Sequence, residues 1–88
     1  MKRYTEQEAI DICGRELVEK VLSENVEPTS RVMYPAFEPA EHIGKTEYSA
    51  CVSDGSHKLA VYYYLTEEDE KNMDFFDWDN PEFEIDEL

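Results

Sequence analysis

Residues 46–65 read TEYSACVSDGSHKLAVYYYL, and this stretch decides the fold. Two runs in which apolar residues alternate with others flank Asp54-Gly55, a dipeptide typical of two-residue β-hairpin turns. A type I′ turn centred on this dipeptide places these residues opposite each other: Ser53 and Ser56, Val52 and His57, Ala50 and Leu59, Tyr48 and Val61, and Thr46 and Tyr63. The pairs from Val52–His57 to Thr46–Tyr63 share one face, and the other face carries Glu47, Ser49, Cys51, Lys58, Ala60, Tyr62 and Tyr64.

A helix is predicted over residues 6–24, on the N-terminal side of the hairpin. Thr5-Glu6-Gln7-Glu8 is a capping box, in which the Thr5 hydroxyl accepts from the Glu8 amide and the Glu8 carboxylate accepts from the Thr5 amide. The residues at helical spacing on one face are Ile10, Cys13, Gly14, Leu17 and Val21, widened by Ala9, Val18 and Leu22. Gly14 lies inside this apolar stripe, which predicts a close approach of the helix to the sheet.

The remaining segments complete an α+β fold. Ser30–Phe37 is predicted to be a first strand, which Pro35 limits to a sheet edge, and residues 38–45 a loop. A short second helix is predicted to begin at Thr66 and to end near Met73. We therefore expect an N-terminal helix packed on a three-stranded antiparallel sheet. Residues 1–65 form the helix-plus-sheet core, and residues 66–88 form an acidic, aromatic C-terminal segment of the same single domain.

Burial should follow the two faces of the hairpin. The residues expected to be more buried are Tyr48, Ala50, Val52, Leu59, Val61 and Tyr63. The residues expected to be less buried are Ser49, Cys51, Lys58 and Tyr62.

The charge of the chain is large and unevenly distributed. Twenty-two acidic residues face eight basic ones among 88 residues, for a net charge of −14. Residues 1–65 carry a net charge of −4, whereas residues 66–88 hold eleven acids and only Lys71, a net charge of −10. Such a field repels phosphates, so direct binding of nucleic acid is not expected. No signal peptide and no run of about 20 apolar residues is found, so we expect a cytoplasmic protein with no membrane partner and free thiols.

No motif for catalysis or metal binding is present. Cys13, His42, Cys51 and His57 lack the CxxC or HxxxH spacing of zinc sites. A calcium loop of the Asp-x-Asp-x-Asp-Gly type is also missing, and carboxylate pairs alone indicate no glycosidase because such enzymes need a cleft. We therefore expect a protein that is not an enzyme and holds no cofactor and no metal.

The C-terminal segment interleaves acids with aromatic residues, and three interpretations remain open. Phe83-Glu84-Ile85 can be an edge strand with solvated acids, or residues 66–88 can be a disordered acidic tail. In the third interpretation the segment imitates nucleic acid, with carboxylates in place of phosphates and rings that stack on arginines. If residues 82–86 are extended, Glu82, Glu84 and Asp86 share a face at a spacing of about 7 Å.

In length, in charge and in this alternation of acids with aromatics, the chain resembles the small acidic inhibitors of phages and mobile elements. These anti-CRISPR and anti-restriction proteins act as DNA mimics. The order Met73-Asp74-Phe75, then Asp77, Asp79, Pro81 and Phe83, is also similar to the acidic tail of bacterial single-stranded-DNA-binding proteins. Those tails end on their phenylalanine, whereas this sequence continues to Leu88. The first resemblance implies an inhibitor of a defence complex in the host cytoplasm.

The leading hypothesis is a non-enzymatic inhibitor that occupies a basic nucleic-acid-binding groove of a partner, such as a nuclease or a CRISPR or restriction complex. The residues predicted to contact that partner are Glu67, Glu68, Asp69, Glu70, Asp74, Phe75, Phe76, Asp77, Trp78, Asp79, Glu82, Glu84 and Asp86. Phe75, Phe76 and Trp78 are the predicted aromatic anchors. The alternative is a small protein-interaction or regulatory module that uses the open sheet face around Tyr62 and Tyr64, including as a homodimer.

Overall fold

The computed structural model describes residues 2–32 and 42–88, which form an antiparallel sheet with two helices packed on one face. The strands are β1 (Glu27–Arg31), β2 (Thr46–Ser53), β3 (His57–Leu65) and β4 (Glu82–Glu87), in the spatial order β1-β2-β3-β4. The helices are α1 (Glu6–Cys13), α2 (Arg15–Leu22) and α3 (Glu67–Lys71), and a 3₁₀ turn covers Met73–Phe75. The α+β class is confirmed.

The sheet has four strands rather than the three expected from the sequence. The additional strand, β4, pairs with β3, so that Phe83 lies opposite Val61 and Ile85 opposite Leu59. Phe83 is fully buried, and its backbone makes two hydrogen bonds of 2.9 Å with Tyr4. The interpretation of residues 83–85 as an edge strand is therefore confirmed, but its expected solvation of Glu84 is wrong, because that side chain is only 12% exposed. The interpretation of residues 66–88 as a disordered tail is also wrong.

The hairpin between β2 and β3 forms with a register that differs from the prediction by two residues. Ser53 lies opposite Lys58, and Val52 opposite Leu59, because Gly55 and Ser56 are the central residues of the turn. Gly55 has φ +90° while Ser56 does not have a positive φ, which is the pattern of a type II′ turn rather than type I′. The Asp54 carboxylate accepts from the amides of Ser56 at 2.9 Å and His57 at 2.8 Å. A shift of two residues leaves every side chain on its predicted face.

The predicted single helix is broken into α1 and α2 at Gly14. This residue has φ +93°, a conformation that side chains with a Cβ rarely adopt. A Cβ added at Gly14 would meet no atom within 4 Å, so the expected close approach to the sheet is wrong. The glycine instead allows the backbone to change direction between two short helices. The Thr5–Glu8 capping box at the start of α1 is confirmed.

The first strand lies earlier than predicted. β1 covers Glu27–Arg31 and contains Pro28, where a bulge shifts its pairing with β2. Pro28 is tolerated there because β1 is an edge strand. The predicted continuation to Phe37, together with residues 38–41 of the predicted loop, falls outside the described residues.

The helix side of the sheet holds the hydrophobic core. The buried residues of this core are Ala9, Leu17, Val18, Val21, Tyr48, Val52, Leu59, Val61, Tyr63, Leu65 and Phe83. Cys51 and Lys58 on the opposite face are exposed, as predicted, and Ala50, Ser49 and Tyr62 are intermediate. The predicted apolar face is therefore confirmed, with Ala50 less buried than expected. Leu22, predicted to widen the helix stripe, is 37% exposed.

Candidate acidic interface

Residues 66–80, which we name the acidic turn segment, connect β3 to β4 around one end of the sheet. Its helix α3 begins at Thr66 with a capping box, in which Thr66 and Asp69 exchange hydrogen bonds of 2.9 and 3.1 Å. Glu70 accepts hydrogen bonds of 2.9 Å from the hydroxyls of both Thr46 and Tyr48. The hydrogen bond to Glu70, followed by burial, raises the pKa of Tyr48. Asp69 therefore caps α3, and Glu70 holds α3 against β2.

Two of the three predicted aromatic anchors point inward. Phe76 and Trp78 pack edge to face, with ring centroids 4.6 Å apart, and Trp78 packs on Tyr63 at 4.9 Å. The Trp78 indole N–H donates to the carbonyl of Met73 at 3.0 Å. Both rings lie against the hydrophobic core. They anchor the acidic turn segment to the domain itself.

Phe75, the third predicted anchor, points outward. Its side chain is 89% exposed, the largest exposure among the large hydrophobic residues that the structure describes. The 3₁₀ turn and the adjacent Phe76–Trp78 contact hold the backbone on both sides of it. A turn fixed by hydrogen bonds and ring contacts therefore presents a phenylalanine ring to solvent.

Asp77 stabilises the turn that follows Phe76. Its carboxylate accepts from the Asp79 amide at 3.0 Å and from the Asn80 side-chain amide at 2.8 Å. The hydrogen bond from Asn80, followed by that from Asp79, lowers the pKa of Asp77. Asp77 is thus both exposed and structural.

Exposed carboxylates surround Phe75 in sequence. Of the predicted contact residues, those with exposed side chains in the acidic turn segment are Glu67, Glu68, Asp74, Phe75, Asp77 and Asp79. Glu67 forms a loose ion pair of 3.9 Å with Arg31, and both side chains are solvated. Ion pairs of this kind contribute little, so the acidic turn segment keeps most of its negative field.

Two acids of β4, unlike most acids of the acidic turn segment, lie beside basic residues of the same chain. Glu82 lies 2.7 Å from His42 Nε2, and Glu84 lies 3.6 Å from Arg3 Nε. The side chains of Arg3 and Glu84 are only 18% and 12% exposed. Asp86 remains exposed at the end of the row. The structure confirms that residues 82–86 are extended, and it gives two of the three carboxylates basic neighbours within the chain.

Arg3 and His42 also cover Tyr62 and Tyr64, which lie on the sheet face opposite the helices. The Arg3 guanidinium lies over the Tyr62 ring at 4.1 Å and donates to the Tyr64 hydroxyl at 2.9 Å. His42 stacks on Tyr64 with ring centroids 3.7 Å apart, and Tyr64 is buried. Burial, followed by the carboxylate of Glu84, raises the pKa of Tyr62. The face that the alternative hypothesis treats as open is covered at Tyr64 and partly covered at Tyr62.

Arg3 and His42 are the residues that sequence reasoning missed. Their role depends on the position of β4, which brings Glu84 and Glu82 onto the face of Tyr62 and Tyr64. The alternation of β4 was visible in the sequence, but its pairing partner was not. No local signal marks Arg3, which contacts Tyr64 across 61 residues of sequence.

The features relevant to catalysis and membranes are few. Cys13 and Cys51 are free thiols, and burial followed by the carboxylate of Asp54 raises the pKa of Cys13. Within residues 2–32 and 42–88, no three His, Cys, Asp or Glu side chains converge as a metal-ligand set. None of the helices in that same part of the chain is long and apolar enough to cross a bilayer.

No protein-family model, curated protein sequence or solved structure matches this chain.

Proposed function

We propose that this chain is a non-enzymatic inhibitor that occupies a basic nucleic-acid-binding groove of a partner protein, with the acidic turn segment as its contact surface. The observation that carries this proposal is Phe75, which is 89% exposed next to a turn whose Phe76 and Trp78 rings pack inward. Exposing one aromatic ring while two neighbouring rings are packed inward costs hydrophobic stabilisation. A binding role explains why the ring stays outside, because aromatic residues dominate the energy of interfaces.

The charges around Phe75 define the partner. Glu68, Asp74 and Asp79 are exposed and lie in a segment whose only base is Lys71. A dense negative field attracts surfaces rich in lysine and arginine and accelerates encounter with them. Surfaces of that kind are typical of nucleic-acid-binding proteins, in which lysine and arginine cluster on one face. The carboxylates would occupy phosphate positions, and the Phe75 ring would stack on an arginine or enter a base pocket.

Some residues of the acidic turn segment hold it on the domain, and this reduces the number of residues that can contact the partner. Phe76, Trp78 and Glu70 hold the segment on the domain, and Asp77 holds its turn. The exposed side chains are then free to contact the partner without a cost in conformational ordering of the backbone. Of the three β4 carboxylates predicted to share a face, Glu82, Glu84 and Asp86, only Asp86 is exposed.

The negative charge of the chain and its compositional resemblance to acidic inhibitors both indicate the same class of partner. A restriction nuclease or a guide-RNA effector complex has a groove of the required charge and is the target of the inhibitors that this chain resembles. Inhibition would be competitive, would take place in the cytoplasm of the host cell and would need no cofactor.

The test uses purified restriction endonucleases and guide-RNA effector complexes, with their target duplex DNA as competitor. We expect the chain to bind at least one of them, to be displaced by the DNA, and to lose affinity as salt rises. Phe75→Ala should weaken binding by about 2 kcal/mol, mainly through faster dissociation, and Ile12→Ala on α1 is the exposed apolar control. Simultaneous binding of the chain and target DNA, without mutual displacement, would contradict the proposal.

The charges can be tested separately from the ring. Replacing Glu68 by Gln and both Asp74 and Asp79 by Asn removes three charges and leaves Asp77 in place. Association should slow, because long-range attraction falls while shape is kept. The control removes three charges from α2 and from the start of β1, as Glu16→Gln, Glu19→Gln and Glu27→Gln. Equal slowing by both triple variants would show that net charge, rather than this surface, guides the encounter.

A further inference from the structure

A shallow apolar groove lies between the C-terminal end of α2, the sheet and the acidic turn segment. Its volume is about 340 Å³, and it is lined by Val21, Leu22, Glu24, Asn25, Val26, Val61, Tyr63 and Trp78. That volume is near the lower end of the range of about 300–1,000 Å³ for ligand sites and is large enough for one or two apolar side chains. Leu22 is 37% exposed at its rim, and Trp78 is half-buried in its wall.

The rim of this groove is acidic. Glu24 lines it directly. Burial, followed by the carboxylates of Glu6 and Asp79, raises the pKa of Tyr63, although both carboxylates lie outside the lining of the groove. Of the described residues that line the groove, none is basic. An apolar floor with a negative rim favours an apolar side chain flanked by lysine or arginine.

The groove shares one residue with the acidic turn segment. The Trp78 ring packs on Phe76 and Tyr63 and also lines the groove. A partner that contacts the acidic turn segment is therefore brought next to the groove. A second copy of this chain is a poor occupant, since it would bring a further net charge of −14 to an acidic rim.

We propose that this groove binds an apolar side chain carried by a lysine- or arginine-rich segment of the partner. The inference rests on the proposed function and specifies its partner chemistry: a basic surface from which a leucine or phenylalanine projects beside the charges. Phosphate-like contacts would then be joined by a second, apolar anchor point that nucleic acid does not supply. Such an anchor would let the chain compete with nucleic acid at salt concentrations that weaken both.

The direct experiment uses the fluorescence of Trp78, the only tryptophan in the chain. The probe is a synthetic lysine-rich peptide with a central Leu-Phe pair, and the matched peptide has Ala-Ala at those positions. We expect a saturable change in Trp78 emission with the first peptide and at least about tenfold weaker binding of the second. Equal affinities for the two peptides would overturn the inference, because charge alone would then explain binding.

Two variants locate the site. Leu22→Lys places a bulky positive charge at the rim and should abolish the preference for the Leu-Phe peptide. Ile12→Lys makes the same charge change at an exposed position of α1, 42% exposed, and should keep the preference. Because both residues are already exposed, neither substitution should unfold the chain. Loss of preference in both variants, or in neither, would overturn the assignment of the groove.

The same variants separate this inference from the proposed function. If Phe75→Ala weakens binding to a nuclease or effector complex while Leu22→Lys does not, the groove is not used and the proposed function stands. If DNA fails to displace the chain while the Leu-Phe peptide still binds at Trp78, the groove stands and the nucleic-acid-mimic function fails.

Discussion

β4 and the acidic turn segment are both rich in acids and large apolar residues but lie in different environments. Both alternate acids with aromatic or aliphatic residues, and both belong to the stretch of residues 66–88 that carries a net charge of −10. In β4, Phe83 is fully buried, and Arg3 and His42 lie against Glu84 and Glu82. In the acidic turn segment, Phe75 and most carboxylates are exposed. An acidic, aromatic composition therefore does not by itself mark a binding surface.

The difference arises from what each segment can pair with. β4 offers extended backbone beside β3, and pairing satisfies its amides and carbonyls while Phe83 enters the core. Burial of its acids at the sheet face is tolerated because Arg3 and His42 compensate them. The acidic turn segment pairs with no strand, so most of its carboxylates stay in water. An exposed charge there costs little free energy of folding.

The largest expected effect compares two phenylalanines. Phe83→Ala should destabilise the fold by about 3–5 kcal/mol, because it removes a fully buried ring from the core. Phe75→Ala should change stability by less than about 0.5 kcal/mol, since the ring is 89% exposed. Urea unfolding of both variants measures the contrast. A comparable loss in the two would mean that Phe75 packs against the domain in solution.

A smaller effect is expected for the two groups of acids. Glu84→Gln leaves the poorly exposed Arg3 guanidinium without its carboxylate, which should cost about 1–3 kcal/mol. Glu68→Gln removes an equal charge from an exposed position of α3 and should not reduce stability. Melting temperatures measured at low salt test both variants. Each variant loses one negative charge, so the decrease in self-repulsion is the same in both. Equal melting temperatures would show that the Arg3–Glu84 contact contributes nothing.

The smallest effect is a local pH response of the acidic turn segment. Hydrogen bonds from Asn80 and Asp79 lower the pKa of Asp77, so its carboxylate stabilises the turn above the ordinary aspartate pKa of about 3.9. That stabilisation is lost as pH falls through the lowered pKa of the folded state. Amide NMR shifts of Asp79 between neutral and acidic pH should report the transition. It should vanish in Asp77→Asn and persist in Asp74→Asn; persistence in both would assign it to another group.

Local patterns in the sequence determined several features of this protein by themselves. The two faces of the hairpin follow from alternation, since side chains on a strand point to opposite sides whatever the partner. The Thr5 and Thr66 helix starts follow from side chains that bond to amides at most three residues away. The uneven charge is a property of composition. The exact turn was not determined, because Asp54-Gly55 and Gly55-Ser56 are both acceptable hairpin centres.

Only the tertiary structure decided which of the predicted contact residues face solvent. Phe75, Phe76 and Trp78 are equivalent in the sequence. In the structure, Phe76 and Trp78 pack on the Tyr63 ring of β3, and Phe75 faces solvent. Glu82 and Glu84 lose their exposure because β4 docks where Arg3 and His42 can reach them. These outcomes depend on contacts between residues far apart in the chain. No spacing rule encodes such contacts, because their energies depend on how all the elements pack together.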